Sequence, residues 1–150
     1  MKITWCHNRL AIGSSSNLDN SFDIWCQSEV DRITHVVNCR RDPDYNRTLE
    51  VVKGLVVLWN PIEDDGEFKP SQWFGASVDF ALGALASPRH RVCVVCCDGS
   101  NRAPSTVLAI LLAQGLSFDD ALTLVLKARP EAELLYRRDA EAAVKALGYC

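Results

Sequence analysis

Hydrophobic positions in this chain fall into short β-branched runs that alternate with longer apolar stretches of helical period. Lys2 to Trp5 and Leu10 to Gly13 read as two short strands joined by Cys6-His7-Asn8-Arg9, a hairpin expected at a sheet edge. Ser14 to Asn17 is a polar loop, and Phe22, Trp25 and Val30 at helical spacing mark a short helix. Ile33 to Asn38 and Leu55 to Trp59 are strands, and Val92 to Val95 is the most apolar of all, the pattern of a central strand. From Pro70, the positions Trp73, Phe74, Val78, Phe80, Ala81, Leu82 and Leu85 give one helix a broad apolar face, which Pro88 ends. Pro104 to Ala113 is a helix apolar all round, closed by Gly115. Ser117, with Asp120 three residues on, caps a helix over Phe118 to Lys127, and after Pro130 a last amphipathic helix runs from Glu131 to Leu147. The charged stretch of Arg40, Arg41, Asp42, Asp44, Tyr45 and Arg47 reads as a solvated loop, with a basic rim for an anion as the sharper alternative. Strands alternating with helices predict an α/β fold of a single domain. Its mostly parallel central sheet is flanked by helices on both faces, with ligands at the C-terminal ends of the strands.

Composition narrows the function. At 150 residues, 48% hydrophobic and 23% charged, the chain can bury one substantial core. A net charge of -3 gives no global attraction to nucleic acid or to acidic membranes, so an anionic partner has to be held locally. The longest apolar run, Val107 to Ala113, is far short of a membrane span, and the first residues lack the apolar core of a secretion signal; a cytoplasmic location is expected. With seven cysteines and no export signal, free thiols are expected rather than a disulfide framework. Cys93-Val94-Val95-Cys96 is formally a redox-type pair, but its β-branched spacer belongs mid-strand, where no turn brings the two sulfurs together. His7, His35 and His90 are scattered and no second close cysteine pair exists, so the expected chemistry uses no metal and no cofactor.

Between the central strand and the apolar helix stand Cys96, Cys97, Asp98, Gly99, Ser100, Asn101 and Arg102. A loop between a strand and a helix N-terminus turns several backbone N–H groups toward one point, and the helix dipole adds to them, so its natural ligand is an oxyanion such as phosphate or sulfate. Cys96 at the loop entrance faces those donors and Arg102, an environment expected to lower its pKa and make it a nucleophile. Gly99 permits a positive φ, and the Arg102 guanidinium can hold two phosphoryl oxygens in a fork. Upstream, Asn60 to Gly66 reaches the same sheet edge as an irregular loop able to move as a lid. It offers the carboxylates Glu63, Asp64 and Asp65 for proton transfer to a leaving oxygen. Asn38 ends its strand beside these loops and either supports the phosphate loop or caps its own turn.

Cys96, Gly99 and Arg102 resemble the Cys-x5-Arg signature of the cysteine-dependent protein tyrosine phosphatases, in its dual-specificity form. Thr34 to Asn38 is similar to that family's preceding strand, Pro61 to Gly66 to its general-acid loop, and Gly115 to Pro130 to its closing helices, so the resemblance covers nearly the whole chain. It implies hydrolysis of phosphate monoesters, of phosphorylated proteins first, through a phosphocysteine on Cys96. Arg102 and the loop amides would bind phosphate, with Asp64 as general acid ahead of Asp65 and Glu63. Two positions depart from the pattern: Val95 replaces the usual His before the nucleophile, and Ala103 replaces the usual Ser or Thr after the arginine. Both substitutions imply a slower enzyme, or a module that holds a phosphorylated partner without turning it over. RNA 5′-phosphates, phosphoinositides and phosphoglucans are other substrates the resemblance allows.

Overall fold

The computed structural model describes residues 2–14 and 32–149; the helix expected from Phe22, Trp25 and Val30 lies outside them. Five strands, β1 (Lys2–His7), β2 (Leu10–Ser14), β3 (His35–Asn38), β4 (Val56–Trp59) and β5 (Val92–Cys96), form one sheet in the order β1-β2-β5-β3-β4. β1 runs antiparallel to β2 as the expected hairpin, with its register broken between Trp5 and His7. The other three pairings are parallel, and β5 takes the centre, between β2 and β3. Around the sheet lie α1 (Pro43–Glu50), α2 (Ser71–Leu85), α3 (Arg102–Ala113), α4 (Phe118–Ala128) and α5 (Arg137–Ala146).

The period of two along the central strands divides the interior into two cores. Val92, Val94 and Cys96 of β5, with Leu10, Ile12 and Val37, face α2, α3, α4 and α5. Cys93 and Val95, with Ala11 and Val36, face the opposite side, where Tyr45 and Leu49 of α1 pack. Helices therefore cover both faces, heavily on one and lightly on the other. Because α3 is buried almost all round, the strand–loop–helix unit that carries Cys96 sits at the centre of the larger core. The same alternation puts Cys93 and Cys96 on opposite faces of β5, and the five described cysteines are free.

Two elements differ from the sequence reading. The stretch expected as a charged loop contains α1: Pro43 starts the helix, and Tyr45 and Leu49, one turn apart, are buried while Asp44 and Arg47 face outward and pair. At the other end, residues 131–136 are not helical and α5 begins only at Arg137. Leu134 adopts a φ of +53°, and the N–H groups of Glu133 and Leu134 both donate to the carbonyl of Ser100. Tertiary hydrogen bonds to the phosphate loop override the helical pattern there.

Candidate active site

Cys96 ends β5, level with Ser14 on β2, and its buried side chain lies on the α3 side of the sheet. The chain then turns through Asp98, whose Oδ1 accepts the N–H of Ser100, and through Gly99 at a φ of +70°. This turn brings the Gly99 N–H to 3.2 Å from Cys96 Sγ, and the Ala103 N–H also donates to that sulfur. Arg102 opens α3 and is 7% exposed. Its Nη1 donates to the carbonyls of Ile62 (2.9 Å) and Cys39 (3.3 Å), while its buried Nε has no hydrogen-bond partner among the described residues. A buried donor left open beside two amides directed at a sulfur is an arrangement suited to an oxyanion. Cys97, half-buried, hydrogen-bonds the same guanidinium.

The electrostatics of Cys96 differ from the sequence expectation. Burial is the largest influence and pushes the thiol above its ordinary value; the Ala103 amide, the Arg102 guanidinium and the Gly99 amide pull it down, and Asp98 pushes it further up. Arg102 directs its Nη1 at two carbonyls, and Cys96 lies deep in the core, so desolvation outweighs the converging donors.

The acid loop lies over this cup and separates its three carboxylates. Asp64 Oδ1 accepts from the Tyr136 hydroxyl at 2.6 Å, and Oδ2 lies 3.4 Å from Nδ2 of Asn101 in the phosphate loop. Asp65 instead pairs with Lys69 at 2.5 Å and accepts the N–H of Glu67, and these bonds lower its pKa. Glu63 pairs with Arg41 at the surface. Of the three, Asp64 is the one bonded to the phosphate loop. The loop is also fastened: Tyr136 accepts the Gly66 N–H, and Asp139 accepts the N–H of Lys69.

For Asn38 the structure selects the turn-capping reading over support of the phosphate loop. Its side chain is directed at its own turn, with Oδ1 accepting the Arg40 N–H and Nδ2 donating to Asn46 of α1. Only its backbone lies beside the site, paired with Val95. The arginines of the proposed basic rim are occupied as well: Arg40 pairs with Asp42 and stacks on Tyr45, and Arg41 and Arg47 pair with Glu63 and Asp44. Two residues that sequence reasoning missed are Tyr136 and Arg129. Arg129 is buried and donates to Thr4 Oγ1, Ser14 Oγ and the Ile12 carbonyl beneath the phosphate loop. A buried arginine is rare enough to suggest a fixed role, but its partners are more than a hundred residues away in sequence.

No protein-family model matches the chain. Solved structures do. Human DUSP28 superposes with a TM-score of 0.77 at 21% identity, covering 98% of each chain. Tk-PTP in its active form gives 0.69 at 20% identity over 97% of this chain and 95% of its own. PTPMT1 gives 0.72 at 13% identity over 99% of this chain and all of its own. At these identities what is shared is architecture, and it extends over the whole length. The chain thus has the fold of the cysteine-dependent dual-specificity phosphatases.

Proposed function

We propose that the chain hydrolyses phosphate monoesters, with phosphotyrosine or phosphoserine/threonine of a protein as substrate. The observation that carries this reading is the hydrogen bond from Asn101 to Asp64, which ties the carboxylate of the acid loop to the loop that holds Cys96 and Arg102. The substrate's phosphate occupies the cup, bound by the loop amides and by the open Nε of Arg102. Cys96 loses its thiol proton to solvent, and the resulting thiolate attacks phosphorus. An S–P bond forms as the P–O bond to the alcohol breaks, and the Asp64 carboxyl gives its proton to the departing oxygen. The Asp64 carboxylate then takes a proton from water, whose oxygen attacks phosphorus and releases the sulfur and inorganic phosphate.

The rim favours a protein substrate over a polyanionic one. PTPMT1 has been solved in complex with PI(5)P, and that relative brings a phosphoinositide into consideration. In this chain Arg40, Arg41, Arg47 and Lys69 each pair with a carboxylate, which leaves little positive charge for a second phosphate. Among the described residues no helix is long and apolar enough to cross a membrane.

The test is turnover of p-nitrophenyl phosphate and of a phosphopeptide panel, with phosphoinositides and 5′-triphosphorylated RNA alongside. Turnover that disappears in Cys96→Ser supports the reading. Tight phosphate binding without turnover assigns the chain to the phosphate-binding modules instead, and the panel decides among substrate classes.

A further inference from the structure

The geometry points to Tyr136 as the residue that positions Asp64 for proton transfer, clasping the acid loop onto the phosphate loop from the start of α5. This role rests on the phosphatase reading above. Tyr136 is buried, 1% exposed, and its hydroxyl makes two bonds, both to the acid loop: it donates to Asp64 Oδ1 at 2.6 Å and accepts the Gly66 N–H at 2.9 Å. The other Asp64 oxygen faces Asn101 at 3.4 Å. Each oxygen is thus held by a different element, one by the phosphate loop and one by the start of α5, and a carboxyl group held at both oxygens keeps one orientation.

The rest of the clasp acts on the loop as a whole. The Lys69 ammonium lies 5.0 Å from the centre of the Tyr136 ring and pairs with Asp65, and Asp139, in the first turn of α5, accepts the Lys69 N–H. A tyrosine serving only the core could direct its hydroxyl at any nearby carbonyl. This one is directed at the carboxylate of Asp64 in a bond to a charged acceptor, stronger than a neutral one. Burial and the Asp64 bond push the Tyr136 hydroxyl up to about 12, so it remains a donor across the working pH range.

The Tyr136 O–H is the bond that holds Asp64 Oδ1, so its removal frees the carboxyl group to turn.

The full chain and its Tyr136→Phe variant are compared on phenyl phosphate, a poor leaving group, and p-nitrophenyl phosphate, a good one. The expected result is a loss of about tenfold in kcat/KM on phenyl phosphate and at most about threefold on p-nitrophenyl phosphate, because only the poor leaving group depends on the acid. In an Asp64→Asn background Tyr136→Phe costs nothing further. Tyr136→His, which keeps a donor, recovers part of the phenyl phosphate activity. Equal losses on both esters, additive losses in the Asp64→Asn background, or a Tyr136→Phe chain that no longer melts cooperatively each overturn the assignment and leave Tyr136 as packing. Full activity of Tyr136→Phe overturns it while the phosphatase reading stands. A parent chain that turns over neither ester removes both.

Discussion

Arg129 lies directly against Gly99: a Cβ on Gly99 would sit 2.6 Å from Arg129 Nη1 and 3.1 Å from Ser14 Cβ. The guanidinium has little room to retreat, since bonds to Thr4, Ser14 and the Ile12 carbonyl hold it against β1 and β2. Gly99 is therefore required twice, for its φ of +70° and for the space its missing side chain leaves. Gly99→Ala is expected to cost about 1–3 kcal/mol of stability, from the strained φ and the collision together. It should also lower kcat/KM on p-nitrophenyl phosphate by about a hundredfold or more, because the Gly99 N–H moves off Cys96. Denaturant melts and steady-state assays measure both, and a variant working at the parent rate would mean that this contact does not shape the cup.

The unit around Gly99 was legible in the sequence because it is local. An apolar run, a glycine that can turn and a proline-led helix are all read from consecutive residues, and they put Cys96 at the loop entrance and Arg102 at its exit, where β5 ends and α3 begins. Asp64 was legible only through likeness to a known acid loop; what distinguishes it from Asp65 is a pair of contacts with Asn101 and Tyr136. Arg129 and Tyr136 were invisible for the same reason, since their partners come from distant segments. Asn38 stayed open between two readings because an amide at a strand end has two possible partners, and the turn to α1, with Asn46 waiting on it, took the bond. α1 itself was hidden by its charges: two buried residues one turn apart make too short a period to stand out among three arginines and two aspartates.

The desolvation of Cys96 makes its alkylation pH-dependent in a definite direction. A thiol whose pKa is raised reacts only as the pH approaches that raised value, because the thiolate is the nucleophile. In phosphate-free buffer, inactivation by iodoacetate is expected to quicken steadily from neutral into alkaline solution, with inorganic phosphate slowing it by filling the cup. Inactivation that is already at its limiting rate in mildly acidic buffer would show that the amides and Arg102 outweigh burial.

Stability should decline on both sides of neutrality. The folded-state pKa of His35 is lowered, first by burial and then by His90, whose ring lies 4.6 Å away; Phe80 lies 5.6 Å away, and Thr34 Oγ1 is 2.8 Å from Nδ1. As pH falls below the ordinary value of 6.5 the unfolded chain takes the proton first, so this stabilisation is complete above 6.5 and is lost toward the lowered folded value. The buried thiols act in the opposite sense. Burial pushes Cys6 up to about 12, and Cys39 and Cys93 higher still. Above the ordinary value of 9.0 the unfolded chain loses these protons first, so stability falls as pH rises from 9.0. Urea midpoints measured across pH should fall below 6.5 and again above 9.0. His35→Phe should flatten the acid side alone, and midpoints constant across the acid range would refute the His35 contribution.

Ala103 offers the most direct way to make the proposed chemistry faster. Its N–H donates to Cys96 Sγ while its methyl group is fully buried, so the site has an amide for the sulfur and no hydroxyl at the position next to Arg102. A serine there keeps the amide and adds a short donor at the start of α3, where a hydroxyl can assist the sulfur as it departs from the phosphocysteine. That group acts only after the alcohol has left, so it cannot change the first step. Ala103→Ser should therefore raise kcat by about threefold to tenfold with kcat/KM nearly unchanged, the signature of a faster second step. Rapid mixing with p-nitrophenyl phosphate provides the check. The parent should release a burst of nitrophenol equal to the enzyme present, and the burst should shrink in the variant. A parent without a burst would mean that phosphocysteine formation, not its hydrolysis, limits the rate, and the serine would then bring no gain.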